Sequence, residues 1–119
     1  MKFTCSVEIN LPKEKTVEVW KAPANLKHWQ DGFERYEHLS GKKNKTGSKG
    51  ILYYNNNGTP MELEETIIEG NLPHALEGEY VHKTMTNRMR NTFQELGPEK
   101  TIWTAEINYI KFNGLFMKL

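Results

Sequence analysis

Three polar side chains fall where an alternating strand pattern expects apolar ones, and they are the residues of this chain best placed to do chemistry. Across 101–110, Trp103, Ala105, Ile107 and Tyr109 share a face, opposite Thr104, Glu106 and Asn108. Across 85–95, Met85, Asn87, Met89, Asn91 and Phe93 fall together, opposite Thr86, Arg88, Arg90 and Thr92. Across 61–69, Met61, Leu63, Glu65 and Ile67 align. Only Asn87, Asn91 and Glu65 interrupt these apolar faces. A buried amide without a partner costs about 1–3 kcal/mol, and an isolated carboxylate costs more. In a solid core these three would be poor fillers; in a wet cavity, water or a ligand would satisfy them. Apolar walls with a few polar anchors are how small-molecule sites are built. The competing reading puts the asparagines near strand ends or bulges, in reach of solvent. For Glu65 the neighbours Glu62, Glu64 and Glu69 favour a solvated acidic strand.

Other chemistries find less support. His28, His38, His74 and His82 have no metal-ligand spacing, so neither a metal site nor a cofactor is expected. Cys5 is the one cysteine, which excludes an intrachain disulfide. Its place in an alternating strand suggests a buried, inert thiol rather than a nucleophile. The stretch from Gly41 to Gly50 is rich in glycine and lysine but lacks the Gly-Lys-Ser/Thr ending of a phosphate loop. A strand follows it where that loop needs a helix, so a solvated hairpin tip is the better reading.

Sixteen basic residues against fifteen acidic ones leave a formal charge of +1, too little to draw in nucleic acid. No apolar run approaches the roughly 20 residues that span a bilayer. The chain opens with no signal-like segment, and a cytoplasmic location is expected by default. At 119 residues one domain, 1–119, is the natural unit.

The elements that must position these residues read as α+β. Residues 2–10 alternate, with Phe3, Cys5, Val7 and Ile9 on one face. Pro12 suits a first helical turn, and a helix over 12–22 packs through Val17 and Trp20 before Pro23 stops it. A second short helix over 25–30 presents Leu26 and Trp29. Trp20 and Trp29 are expected to plug the core between helices and sheet. Six strands then follow in sequence over 33–40, 50–55, 61–69, 75–83, 85–95 and 101–110. Asn57-Gly58 marks a tight hairpin. Tyr53 and Tyr54 point to opposite faces, and either order is open. Phe112, Leu115, Phe116 and Leu119 are spaced as the first turns of a closing helix.

This order resembles the START/Bet v 1-like superfamily, also called SRPBCC or polyketide cyclase-like. The likeness is carried by Val7-Glu8-Ile9-Asn10-Leu11-Pro12, by Val17 to Trp20, and by Pro23-Ala24-Asn25-Leu26-Lys27-His28-Trp29. Glu65-Thr66-Ile67 and the hairpin from Met89-Arg90-Asn91-Thr92-Phe93 through Thr101 extend it over essentially the whole chain. The resemblance implies a helix-grip fold: a curved seven-stranded antiparallel sheet around a long C-terminal helix, with two short helices after strand one. It also implies a cavity for lipids, sterols or polyketides, and in some members a cyclase or hydratase activity. No catalytic residue is common to the superfamily, so none is carried over. The closing helix would run well past Leu119, so a domain lacking most of it is expected. Either the sequence is shortened, or the groove is left open, or a partner covers it.

The expected function is therefore non-catalytic binding of a small apolar molecule. The wall would comprise Leu63, Glu65, Ile67, Tyr80, Asn87, Met89, Asn91, Phe93, Trp103, Ala105, Ile107 and Tyr109. The alternatives are a cyclase or hydratase with Glu65 as general base and Tyr109 or Asn91 orienting the substrate, or an interaction module. In the last case Phe112, Leu115 and Phe116 would be exposed and the groove would take a second copy.

Overall fold

The computed structural model describes residues 2–22, 25, 30–83 and 85–112, the last two by backbone alone. Strand β1 (Lys2–Ile9) leads into helix α1 (Lys13–Lys21), and six strands follow. These are β2 (Phe33–Ser40), β3 (Lys49–Asn56), β4 (Thr59–Asn71), β5 (Ala75–His82), β6 (Met85–Gly97) and β7 (Lys100–Phe112). All pair antiparallel in the order β1-β7-β6-β5-β4-β3-β2, so the later strands form a meander and β1 returns to flank β7.

Turn chemistry sets the hairpins. Asn57 and Gly58 both take positive φ, at 54° and 86°, as the tight turn from β3 to β4 demands. The Asn55 side chain accepts the Gly58 N–H at 2.9 Å. Register breaks in β2, in β4 between Ile67 and Glu69, and along β6–β7 introduce bulges, which bend strands and re-aim side chains.

Helix α1 begins behind Pro12, whose carbonyl accepts both the N–H and the hydroxyl of Thr16. It buries Thr16 and Val17 and sets Trp20 edge-on against Phe93 (5.1 Å between ring centres) and Trp103 (6.4 Å). Trp20 thus joins helix to sheet, as its spacing from Val17 suggests. The hydroxyl of Thr101, fully buried, donates to the Leu11 carbonyl and ties β7 to the turn before α1. Among the described residues no helix is long and apolar enough to cross a membrane.

Several expectations change. One helix is present among the described residues where two were expected, because 23–24 and 26–29, Trp29 included, lie outside them. Phe112 does not open a helix: it ends β7 and pairs with Met85, since the β6–β7 ladder runs two residues beyond the apolar alternation. Leu115, Phe116 and Leu119 lie outside the described residues. Cys5 is exposed rather than buried, and Phe3 and Val7 keep 51% and 43% of their surface. Among the described residues this face of the edge strand β1 is only partly covered. Tyr54 proves to be the inner tyrosine; Tyr53 faces outward beneath Arg35 and donates to Glu37.

Candidate functional site on the inner face

The pairing of strands assembles the site. Glu65 on β4 opposes Tyr80 on β5, which opposes Asn87 on β6, which opposes Tyr109 on β7. One rung along, Ile67, Gly78, Met89 and Ile107 line up in the same way. Asn91 meets Leu76 and Ala105, and Phe93 meets Trp103. With Leu63 two residues from Glu65, all twelve residues of the expected wall share the face on which Trp20 packs.

What these residues touch divides them. Asn91 is 2% exposed, and its side-chain oxygen accepts the Trp103 indole N–H at 3.0 Å. Its amide therefore has a protein partner, where the sequence offered water, ligand or solvent. That bond makes Asn91 a support for the indole rather than a group free to orient a substrate. Glu65 departs from the solvated acidic strand that its neighbours suggested. Glu62 and Glu64 are exposed on the outer face, whereas Glu65 lies half-buried on the inner one. The Tyr80 hydroxyl donates to its carboxylate at 2.9 Å, and Tyr36 supplies a second hydroxyl.

Burial raises the Glu65 pKa, and the two tyrosine hydroxyls only partly oppose that rise. The tyrosines respond in turn. Tyr80 is pushed well above its ordinary value, first by burial and then by the Glu65 charge. Tyr54 is raised to about 12 by the same two causes in the same order. Tyr36 is raised by burial and by Glu65, against a lowering hydrogen bond from Ser48.

Two strand-interior glycines make this cluster sterically feasible. A methyl at Gly50 would overlap the Tyr36 hydroxyl, and one at Gly78 would come within 2.7 Å of the Tyr80 hydroxyl. Glycine inside a strand commonly marks such a close approach. Beside the cluster, Phe33, Leu52 and Tyr54 form a buried apolar group with Tyr36, Met61, Leu63 and Tyr80 packed against it. The Tyr54 hydroxyl donates to Gln30 at 2.5 Å. His38 donates through Nε2 to the Gly41 carbonyl at 2.6 Å, leaving Nδ1 as the nitrogen that faces Tyr36. Tyr36, His38, Ser48 and Tyr54 were absent from the sequence-derived wall.

The other half of the face is more open. Met89, Ala105, Ile107 and Tyr109 are partly exposed, and on β1 Phe3 meets Tyr109 edge-on at 5.9 Å. The arrangement is an apolar wall running toward a carboxyl ringed by tyrosines.

No protein-family model and no curated protein matches the sequence. Solved structures do match the fold. An aromatase/cyclase from Streptomyces sp. R1128 aligns with a TM-score of 0.77 at 11% identity, over 100% of this chain and 73% of its own. The major latex-like protein 151 of Panax ginseng gives 0.74 at 18%, over 93% and 79%. A START superfamily protein from Mycobacterium smegmatis gives 0.73 at 12%, over 92% and 77%. At these identities the likeness is one of architecture: this chain carries the fold of the START/Bet v 1-like superfamily.

Proposed function

We propose that the inner face binds a small, largely apolar molecule with one polar group, and that binding rather than catalysis is its work. The observation that carries this reading is the partly exposed apolar stretch of the inner face where Phe3, Ile107 and Met89 pair in register across β1, β7 and β6, with the Glu65 carboxyl on the same face. Burying apolar surface contributes about 25 cal/mol per Å2, so a modest ligand can be held by the wall alone. The polar end would fix its orientation.

Displacement of the fluorescent apolar probe N-phenyl-1-naphthylamine tests the proposal. Ile107→Asp places a charge on the wall and is expected to weaken binding by about tenfold or more. Glu106→Gln, on the opposite side of the same strand, is expected to leave binding unchanged. Equal affinity for the two variants would overturn the reading.

The burial of Glu65 favours one second reading, a cyclase- or hydratase-type reaction with this carboxyl moving a proton. Tyr80 and Tyr36 would then position it, in place of Tyr109 or Asn91. A second copy of the chain is the alternative occupant of the open half. Sedimentation velocity separates the two occupants: a monomer at high concentration argues for the small molecule.

A further inference from the structure

Glu65 is compensated differently from the carboxylates on the outer face. There, Glu69 and Glu77 both pair with the Arg90 guanidinium, at 2.7 and 3.2 Å, and Glu79 pairs with Arg88 at 3.1 Å. At Glu65 the acting groups among the described residues are burial and the hydroxyls of Tyr80 and Tyr36, with no lysine or arginine among them. Its surroundings are aromatic. Tyr54 lies near enough to feel the Glu65 charge, and Phe33 packs edge-on against Tyr54 at 5.7 Å between ring centres.

Two properties of this setting select a ligand group. A carboxylate has about four lone-pair sites, and two hydroxyl donors leave some of them open. Tyrosine and phenylalanine rings carry negative faces, which attract a cation and do not attract an anion. A neutral donor would gain one hydrogen bond to the carboxylate at this position, without charge pairing. A cation would gain charge pairing in a partly desolvated site together with the attraction of the rings.

We propose that Glu65, with the rings of Tyr36, Tyr54 and Tyr80, forms a subsite for an ammonium group carried by an amphipathic ligand. This rests on the reading of the inner face as a binding wall: the apolar body of that ligand would lie toward Met89 and Ile107. The ligand class is then an alkyl- or arylalkyl-amine rather than a fatty acid or a neutral sterol. An anionic head would meet the Glu65 charge and the negative ring faces together.

Octylammonium, 1-octanol and octanoate, matched in chain length, separate the possibilities by calorimetric titration at neutral pH. Octylammonium is expected to bind on the order of tenfold more tightly than octanol, the gain from pairing a cation with the carboxylate and the rings. Octanoate is expected to bind most weakly. Glu65→Gln keeps the shape and both tyrosine contacts, and is expected to bring the amine-to-alcohol ratio close to one while octanol affinity holds. Thermal melting of the variant confirms that it is folded. Should amine and alcohol bind the wild-type protein equally, or should the variant keep the amine preference, the ammonium subsite is overturned while the wall stands. Should none of the three bind, the wall reading itself fails.

Discussion

Among the described residues the inner face is packed across β2–β5 and open across β7 and β1, although the same alternation of residues builds both. Phe33, Leu52 and Tyr54 keep 9%, 6% and 7% of their surface, while Phe3 and Val7 keep 51% and 43%. The difference lies in what stands over the strands. In the first half, rings reach sideways over Gly50 and Gly78 and close on one another. In the second, Trp20 covers the end near Phe93 and Trp103, and among the described residues little else lies above the wall. Alternation therefore reports which face a side chain takes, not whether that face is covered.

The largest test of this contrast is a matched pair of truncations. Phe33→Ala opens a hole in the packed half and is expected to cost about 3–5 kcal/mol. Phe3→Ala removes a ring that already meets solvent and is expected to change stability by about 0.5 kcal/mol or less. Urea midpoints at unchanged slope measure both. Equal losses would mean that the open half is packed in solution, and the comparison would fall.

A smaller effect should come from filling the glycine gap. Gly78→Ala sets a methyl against the Tyr80 hydroxyl and ring, and overpacking of this kind costs about 1–3 kcal/mol. Gly97, at the end of β6, has nothing within 4 Å of the same atom, so Gly97→Ala is expected to be nearly neutral. Thermal unfolding of the two variants ranks them. Similar melting temperatures would show that Tyr80 moves aside freely and that the aromatic cluster is loose.

Asn91→Leu probes the boundary between the halves. Leucine suits the surrounding apolar face but removes the acceptor of the Trp103 indole N–H, at an expected cost of about 1–2 kcal/mol. A more stable variant would mean that Asn91 merely crowds a core. Chemical denaturation followed by tryptophan emission reads both the stability and the environment of the indole.

Much of this geometry was legible because period two survives in the strands that carry it. Met61, Leu63, Glu65 and Ile67 keep their parity, as do Asn87 to Phe93 and Trp103 to Tyr109. What was lost was lost to bulges and to misleading neighbours. The break between Phe33 and Arg35 puts Phe33 and Tyr36, three apart, on the same face, so β2 shows no alternation and its inner residues stay hidden. The bulge after Ile67 turns Glu69 outward to Arg90, where simple parity would have kept it inside. Glu62 and Glu64 made β4 look solvated, yet both lie on the side that Glu65 does not share. Gly50 and Gly78, placed inside strands, were the signal that could have marked the tyrosine cluster, because glycine there leaves room for something to approach.

The finest test follows a single proton. Burial raises the Glu65 pKa above the ordinary 4.5, so the folded protein holds this proton more tightly than the unfolded chain does. The stabilisation from the neutral acid is fully present below that ordinary value and is lost as pH rises through the raised one. Glu65→Gln has no such proton to lose. The variant should therefore match the wild type most closely in acid, then gain on it across this interval and hold a constant lead above it. Stabilities of the two proteins, measured by urea unfolding at successive pH values, give the difference directly. A lead that shrinks with rising pH would place a cation beside Glu65 in the ligand-free protein. The carboxyl would then be charge-paired as Glu69 and Glu77 are on the outer face, and the contrast between them would be gone.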